Sequence, residues 1–355
     1  MGSDPLQRLE RLLAASRAIA DGGSEFGRRA RQRLEASTGL SAQGVELALA
    51  HSLELAPSSA ELDRLLSSVE PAPAAHVLLS STVFVAAHRA LALALCCSER
   101  VFVRASRREP EMTRLLSELA PGLFQSTPAL SAEAGESVFA YAGAEALASL
   151  RRELRRGVWL HAHGPGFGVV VAGAAAVESA AELDSAARAL ARDTALFDQR
   201  GCLSPRLVLV AGEPRHAAAL ADAAARALAE FERQVPLGRL LPDEQAELRR
   251  FRDTFAAAGE LFAAGGGWVA AADAGAPLTI APVGRNLLVV PVPSAATALR
   301  ALAPQITTVA VLGDERLERE VGSALPDARA ARLGAMQAPA FDGPVDRRTR
   351  AERID

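Results

Sequence analysis

Apolar side chains recur at helical spacing through residues 4–70. Leu6, Leu9, Leu12 and Leu13 fall at helical spacing in a helix that Asp4-Pro5 opens, a capping acid followed by proline at the first helical position. Leu49 and Leu53, four apart, mark another helix, and residues 58–69 a short one, before the PAPA run at 71–74 breaks the chain. From residue 76 the period changes. HVLLSSTVFVAAHRALALAL reads as a buried strand, a polar turn and an apolar helix, and ERVFVRAS (99–106) as a second strand. A helix over 109–119, a strand over 137–143 and the helix AEALASLRRELRR follow. VWLHAHGPGFGVVVAG carries two apolar runs around a glycine turn, and 180–197 is an amphipathic helix. Strands alternating with helices at this spacing predict a mostly parallel, doubly wound α/β sheet. A fresh strand at PRLVLVAG (205–212) and a helix over 216–234 place a boundary near residue 190 and a second α/β domain to about 325. VPLGRLLPDEQ (235–245) reads as a loop, and GGGWVAAADAG, LTIAPVG and NLLVVPVP as short strands. The strand and helix of ITTVAVLGDERLEREVGSAL complete the second domain.

Half of the 355 residues are hydrophobic and the net charge is only −3, which supports neither a nucleic-acid-coating nor a polybasic membrane role. All 39 cations are arginine. With no lysine, Schiff-base chemistry, a phosphate loop with its usual lysine and a standard protein kinase are excluded. The longest apolar stretch, 83–97, is interrupted by His88 and Arg89, so no membrane span is expected. Three cysteines, Cys96, Cys97 and Cys202, make neither a disulfide framework nor a metal knuckle, and the N-terminus lacks a secretory apolar run; a reducing, cytoplasmic setting is expected.

The candidate chemistry lies in FDQRGCLSPR (197–206), where a helix ends and a strand begins. Cys202 sits in a turn beside Gly201, a place where a nucleophile is accessible and backbone N–H groups can receive an oxyanion; the plainer reading is a small buried hydrophobe. Cys96-Cys97 ends an apolar helix and reads as inert packing. HAHGPGFG (161–168) is glycine-rich but is not G-x-G-x-x-G, and His161 with His163 has no further ligands to make a metal site. No G-x-S-x-G elbow is present.

Taken together, HVLLSSTVFVAAHRALALAL, VFVRASRREP, FAYAGAEALASLR, HGPGFGVVV, ALFDQRGCLSPR and the ending ARLGAMQAP…DGP resemble the acyl-CoA reductase family of the bacterial luminescence system, a branch of the aldehyde dehydrogenase superfamily. The resemblance covers about residues 75–345. It implies a Rossmann-like cofactor domain and a catalytic domain, which the element pattern bounds at 76–190 and 191–325, after a helical region over 1–75 and before a tail over 326–355. Cys202 matches the nucleophile. Ser81 or Thr82 stands where the superfamily has an oxyanion-binding asparagine, and Arg104 where a lysine contacts the cofactor ribose. Ser106, Ala142, Gly143 and Gly164 fall at the matching cofactor positions.

The expected reaction is reduction of a fatty acyl-CoA to an aldehyde with NADPH, NAD being the alternative cofactor, through an acyl group carried on Cys202. Two alternatives stand beside it: a glutamyl-phosphate-type reductase of the same superfamily, and a diverged binding subunit that has lost catalysis. The expected partners are an activated acyl substrate and a second copy of the chain, with no nucleic acid and no metal.

Overall fold

The computed structural model describes residues 4–79, 83–343, 345 and 351–355. The chain divides into two compact units, one built mainly from residues up to Pro165 and the other from Gly166–Pro339. Residues 340–343 and the end of the chain return to the first.

The first unit holds a parallel sheet of strands β1 (Ala75–Leu79), β2 (Val101–Arg104), β3 (Gln125–Ser126), β4 (Ser137–Tyr141) and β5 (Trp159–His163). The order is β3-β2-β1-β4-β5, with Ala351–Arg353 antiparallel outside β5. The chain therefore works outward from β1 to one side, then returns to its other side. That reversal places a crevice at the carboxyl ends of β1 and β4, where open α/β sheets bind ligands. The N-terminal helices are part of this unit. Asp4 caps the helix Pro5–Ala20 by accepting from the Leu6 N–H at 3.1 Å. The same helix buries Leu9, Leu12 and Leu13 completely or nearly so. Ser16 on it meets His88 of the helix Ala86–Cys97 at 2.8 Å, so the region over 1–75 packs on the sheet layer rather than standing apart.

The second unit holds β6 (Phe167–Gly173), β7 (Pro205–Ala211), β8 (Gly259–Ala264), β9 (Gly267–Ala272), β10 (Leu287–Pro291), β11 (Ile306–Leu312) and β12 (Arg329–Ala331), in the order β12-β11-β6-β7-β10-β9-β8. Every pair is parallel except β8 with β9. Along β7, Leu207 and Leu209 enter the core on one face while Val208 and Val210 enter the core on the other. A stretch of strand buried on both faces must be apolar at every position, and Leu207 to Val210 are, with Arg206 half-buried near the strand's start.

The units meet the sequence boundaries unevenly. The chain passes to the second unit at 165/166, not near 190. The two apolar runs of VWLHAHGPGFGVVVAG look alike along the chain, yet β5 pairs with β4 in one sheet and β6 with β7 and β11 in the other. The helix 180–195 therefore belongs with β6 and β7. PDEQ, read as loop, opens the helix Pro242–Ala258, with proline at its start and Asp243 and Glu244 in its first turn. LTIAPVG forms no strand.

Candidate active site

The helix Ala180–Ala195 does not continue to Phe197 as expected. Phe197, Asp198 and Gln199 carry φ values of 55°, 48° and 67°, three consecutive left-handed residues without a glycine. Each costs about 1–2 kcal/mol in that conformation, so the surroundings must hold it. They do so with buried polar groups. The Asp198 carboxylate accepts from Arg285 Nε at 3.0 Å and Nη2 at 2.8 Å, and from the Gly238 N–H at 3.0 Å. The Asp198 carbonyl accepts from the Gly284 N–H at 3.0 Å. Gln199 donates from Nε2 to the carbonyls of Pro205 and Asn286 at 2.8 and 2.5 Å, while its Oε1 accepts the Asn286 N–H at 2.8 Å. The backbone of Asn286, remote in sequence, thus clamps the run that leads into Cys202, while its side chain bonds the Trp268 N–H and the carbonyls of Pro282 and Val283.

Next comes the turn Gly201–Ser204, closed by the Ser204 N–H on the Gly201 carbonyl at 3.1 Å. Cys202 lies in it, half-buried. The wholly buried Thr307 hydroxyl, on β11, donates to the Cys202 carbonyl and lies 3.0 Å from that of Phe167. On β6, the Gly168 N–H donates to the Ser204 carbonyl at 2.7 Å. A Cβ at Gly168 would stand 2.6 Å from the Leu203 carbonyl oxygen and 2.9 Å from the Met336 methyl. The last glycine of HAHGPGFG therefore lets the cysteine turn approach its strand; it makes no dinucleotide loop.

The family-like ending ARLGAMQAP also lies here. The buried Asp193 carboxylate accepts the N–H groups of Gly334 at 2.6 Å and Met336 at 3.1 Å. Burial pushes its pKa up to about 6, against the pull of those N–H groups and of Arg192 and Arg329. Gln337, in the same segment, donates to the Asp193 carbonyl at 3.0 Å and to Ser204 Oγ at 2.5 Å.

In the first unit, Arg104 ends β2, half-buried, and its guanidinium has no hydrogen-bond or ion-pair partner among the described residues. Gly143 follows β4 and opens the helix Ala144–Glu153 without a side-chain cap. Its φ of −65° suits any residue, and a Cβ there would meet nothing within 4 Å. What glycine supplies is bare backbone at a helix N-terminus beside the sheet's reversal point. Ala142 is buried behind it, its N–H on the His163 carbonyl at 3.1 Å. A Cβ on Gly164 would touch Leu147 at 3.4 Å, so this glycine faces a packed side chain. Ser106 is buried, and its oxygen accepts the N–H groups of Arg108 and Glu109 at 3.1 and 3.3 Å, so it builds the loop after β2. Ser81 and Thr82 lie outside the described residues. His161 and His163 stack on Phe139 and Tyr141 at 4.4 and 4.2 Å, a cross-strand aromatic ladder. Among the described residues no group of three His, Cys, Asp or Glu is placed to hold a metal. Nor is any described helix long and apolar enough to cross a membrane.

Sequence reasoning singled out Cys202, but not Asp193, Asp198, Gln199, Arg285, Thr307 or Gln337. No local signal marks them, since even Asn286 reaches Gln199 only through its backbone N–H and carbonyl.

The family described as acyl-CoA reductase (LuxC) matches residues 63–339. No curated protein matches the chain in sequence. Solved structures with the aldehyde dehydrogenase fold match nearly all of it. An oxidoreductase from Marinobacter aquaeolei superposes with a TM-score of 0.71 at 11% identity, covering 99% of this chain and 86% of that one. An NAD-dependent benzaldehyde dehydrogenase from Corynebacterium glutamicum gives 0.66 at 12%, covering 99% and 85%. An NADP-dependent glyceraldehyde-3-phosphate dehydrogenase from Bacillus halodurans C-125, complexed with NADP, gives 0.62 at 12%, covering 99% and 84%. At such identity the likeness is one of fold.

Proposed function

The chain belongs to the acyl-CoA reductase (LuxC) family, and from that premise we propose that it reduces a fatty acyl-CoA to an aldehyde with NADPH, through a thioester on Cys202. Family and fold together make it an oxidoreductase acting on acyl or aldehyde groups. Substrate, cofactor and intermediate are the proposal. The observation that carries it is the braced turn. Three left-handed residues and a buried hydrogen-bond network precede a half-buried cysteine, and such strain persists where the surroundings fix it for use.

Cys202 Sγ, as thiolate, attacks the thioester carbonyl carbon, and the electron pair passes to the carbonyl oxygen. Collapse of that oxyanion forms the Cys202 thioester and releases the coenzyme A thiolate, a good leaving group, so no activated water is required. The oxyanion donors in this reading are the Cys202 N–H, with the hydroxyl of Ser81 or Thr82 as the resemblance implies. The nicotinamide nucleotide fits the first unit. Arg104, whose guanidinium has no partner among the described residues, can offer it to a phosphate, and Gly143 with the helix behind it offers exposed N–H groups. Ala142 supports that backbone, while Ser106 and Gly164 shape the neighbouring loops. Bound there, the reduced nucleotide supplies the hydride that takes an acyl group to the aldehyde level. Cys202 then leaves as thiolate with release of the aldehyde.

Incubation with a long-chain acyl-CoA in the absence of nucleotide tests this reading. Intact mass should show one acyl adduct, mapped to Cys202 by peptide mass, and NADPH should discharge it as aldehyde. Absence of both adduct and aldehyde would overturn the reading, and absence of NADPH binding as well would favour a binding subunit.

A further inference from the structure

We propose that Gln337 is a positioning residue for the Cys202 thiol, its carboxamide bonded to Ser204 at the far end of the Gly201–Ser204 turn and lying over the near end, while Asp193 holds Gln337 in register. This rests on the reading of Cys202 as nucleophile. Both N–H bonds of the Gln337 carboxamide are engaged. One goes to Ser204 Oγ at 2.5 Å, at the far end of the turn, and one to the Asp193 carbonyl at 3.0 Å, in the last turn of the preceding helix. Its oxygen lies over the near end: a Cβ on Gly201 would stand 3.1 Å from Gln337 Oε1. The single side chain thus ties the helix that delivers the cysteine, the turn that carries it and the residue that closes the turn.

The other ties come from below. Thr307 and Gly168 hold the backbone carbonyls of Cys202 and Ser204 from strands β11 and β6. Gln337 comes instead from a segment outside any helix or strand, whose position is set by two N–H groups on one buried carboxylate. A strand could have braced the turn without that arrangement. A dedicated segment, fixed by Asp193 and delivering one carboxamide to the cysteine turn, is what an orienting role requires. Displacing a reacting group by about 1 Å costs on the order of 10²-fold in rate.

Gln337→Met keeps the length of the side chain and removes both donors and the acceptor. Three readouts are taken on the full chain: alkylation of Cys202 by iodoacetamide followed by peptide mass, kcat and KM for aldehyde formation from acyl-CoA, and the thermal midpoint. The alkylation rate and kcat should fall together by about tenfold or more, with KM within about threefold and nucleotide affinity unchanged. Ser204→Ala should show the same loss in weaker form. The double variant should be no slower than Gln337→Met, because both act through one contact. Wild-type alkylation and kcat in Gln337→Met, or additive losses in the pair, would overturn the proposal. If Gln337→Met does not fold, Ser204→Ala decides: wild-type alkylation in it is the overturning result. A wild-type chain that forms neither thioester nor aldehyde would sink the reaction proposed above, and the alkylation rates would still report on positioning.

Discussion

Around Cys202 the buried side chains of Asp198, Gln199, Thr307 and Gln337 all have hydrogen-bond partners, in the backbone or in Arg285 and Ser204, whereas among the described residues the Arg104 guanidinium at the end of β2 has none and Gly143 after β4 leaves its backbone open. On the proposed reading of Cys202 as nucleophile and Arg104 as phosphate contact, the two regions meet different demands. A covalent nucleophile must be held in one orientation, and a left-handed run is stable only if the surroundings over-determine it. A site for a phosphorylated ligand must keep donors unengaged until the ligand arrives, because a guanidinium already paired with a carboxylate has nothing left to offer. The rigid region is therefore rich in internal hydrogen bonds and the receptive one poor in them.

Replacing the thiol itself breaks the comparison most severely. Cys202→Ala should abolish aldehyde formation while leaving the fold and nucleotide binding intact, since the side chain is half-buried and the brace acts on backbone atoms. Retention of more than a few per cent of the wild-type rate would remove Cys202 as nucleophile. Next in size is the brace. Arg285→Met leaves Asp198 buried with its bidentate partner gone, Arg200 being 3.6 Å away. Breaking a buried pair from one side costs about 3–5 kcal/mol. A denaturant titration should show that loss, and a change under about 1 kcal/mol would mean that the left-handed run is held by something else.

This brace is also where sequence reading stops. The α/β class, the element spacing, the N-terminal helices and the cysteine turn follow from local patterns: apolar period, caps and turn residues. Asp4-Pro5 acts as its local chemistry predicts. The Asp198–Arg285 pair, the Gln199–Asn286 clamp and the Thr307 tie join residues 87 to 105 positions apart. No local period encodes them. The boundary at 165/166 was hidden for a related reason. β5 and β6 are both short apolar runs beside glycines, and only the choice of neighbouring strands separates them. At Ser106, which the resemblance places at the cofactor, the oxygen also accepts two N–H groups of its own loop, a contact that the local pattern does not show.

The receptive region is tested at Arg104. If the guanidinium is kept unpaired for a 2′-phosphate, wild-type protein should bind NADPH more tightly than NADH, and Arg104→Ala should weaken NADPH by about tenfold or more while barely changing NADH. Hydrogen bonds to charged groups are worth about 1.5–3 kcal/mol, which sets that scale. Equal wild-type affinities, or an unchanged ratio in the variant, would leave Arg104 a solvent-facing cation and remove it from the contrast.

The smallest effect belongs to the other two thiols, which share the chemistry of Cys202 and lack its setting. Cys96 and Cys97 end the helix Ala86–Cys97 and are 7% and 3% exposed. Burial pushes the Cys96 thiol up to about 12 and raises that of Cys97, so both stay protonated at neutral pH, and a thiol is a poor nucleophile. Cys97 Sγ also donates to the Glu70 carbonyl at 3.3 Å. Each alanine variant should therefore lose about 1 kcal/mol or less of stability, from the small void left by the sulfur, with Cys97→Ala somewhat the worse for its lost hydrogen bond. Aldehyde formation per folded molecule should stay at the wild-type level in both. A large loss of activity in either one, with the thermal midpoint unmoved, would place a working thiol in the first unit, and the braced turn would no longer be what distinguishes Cys202.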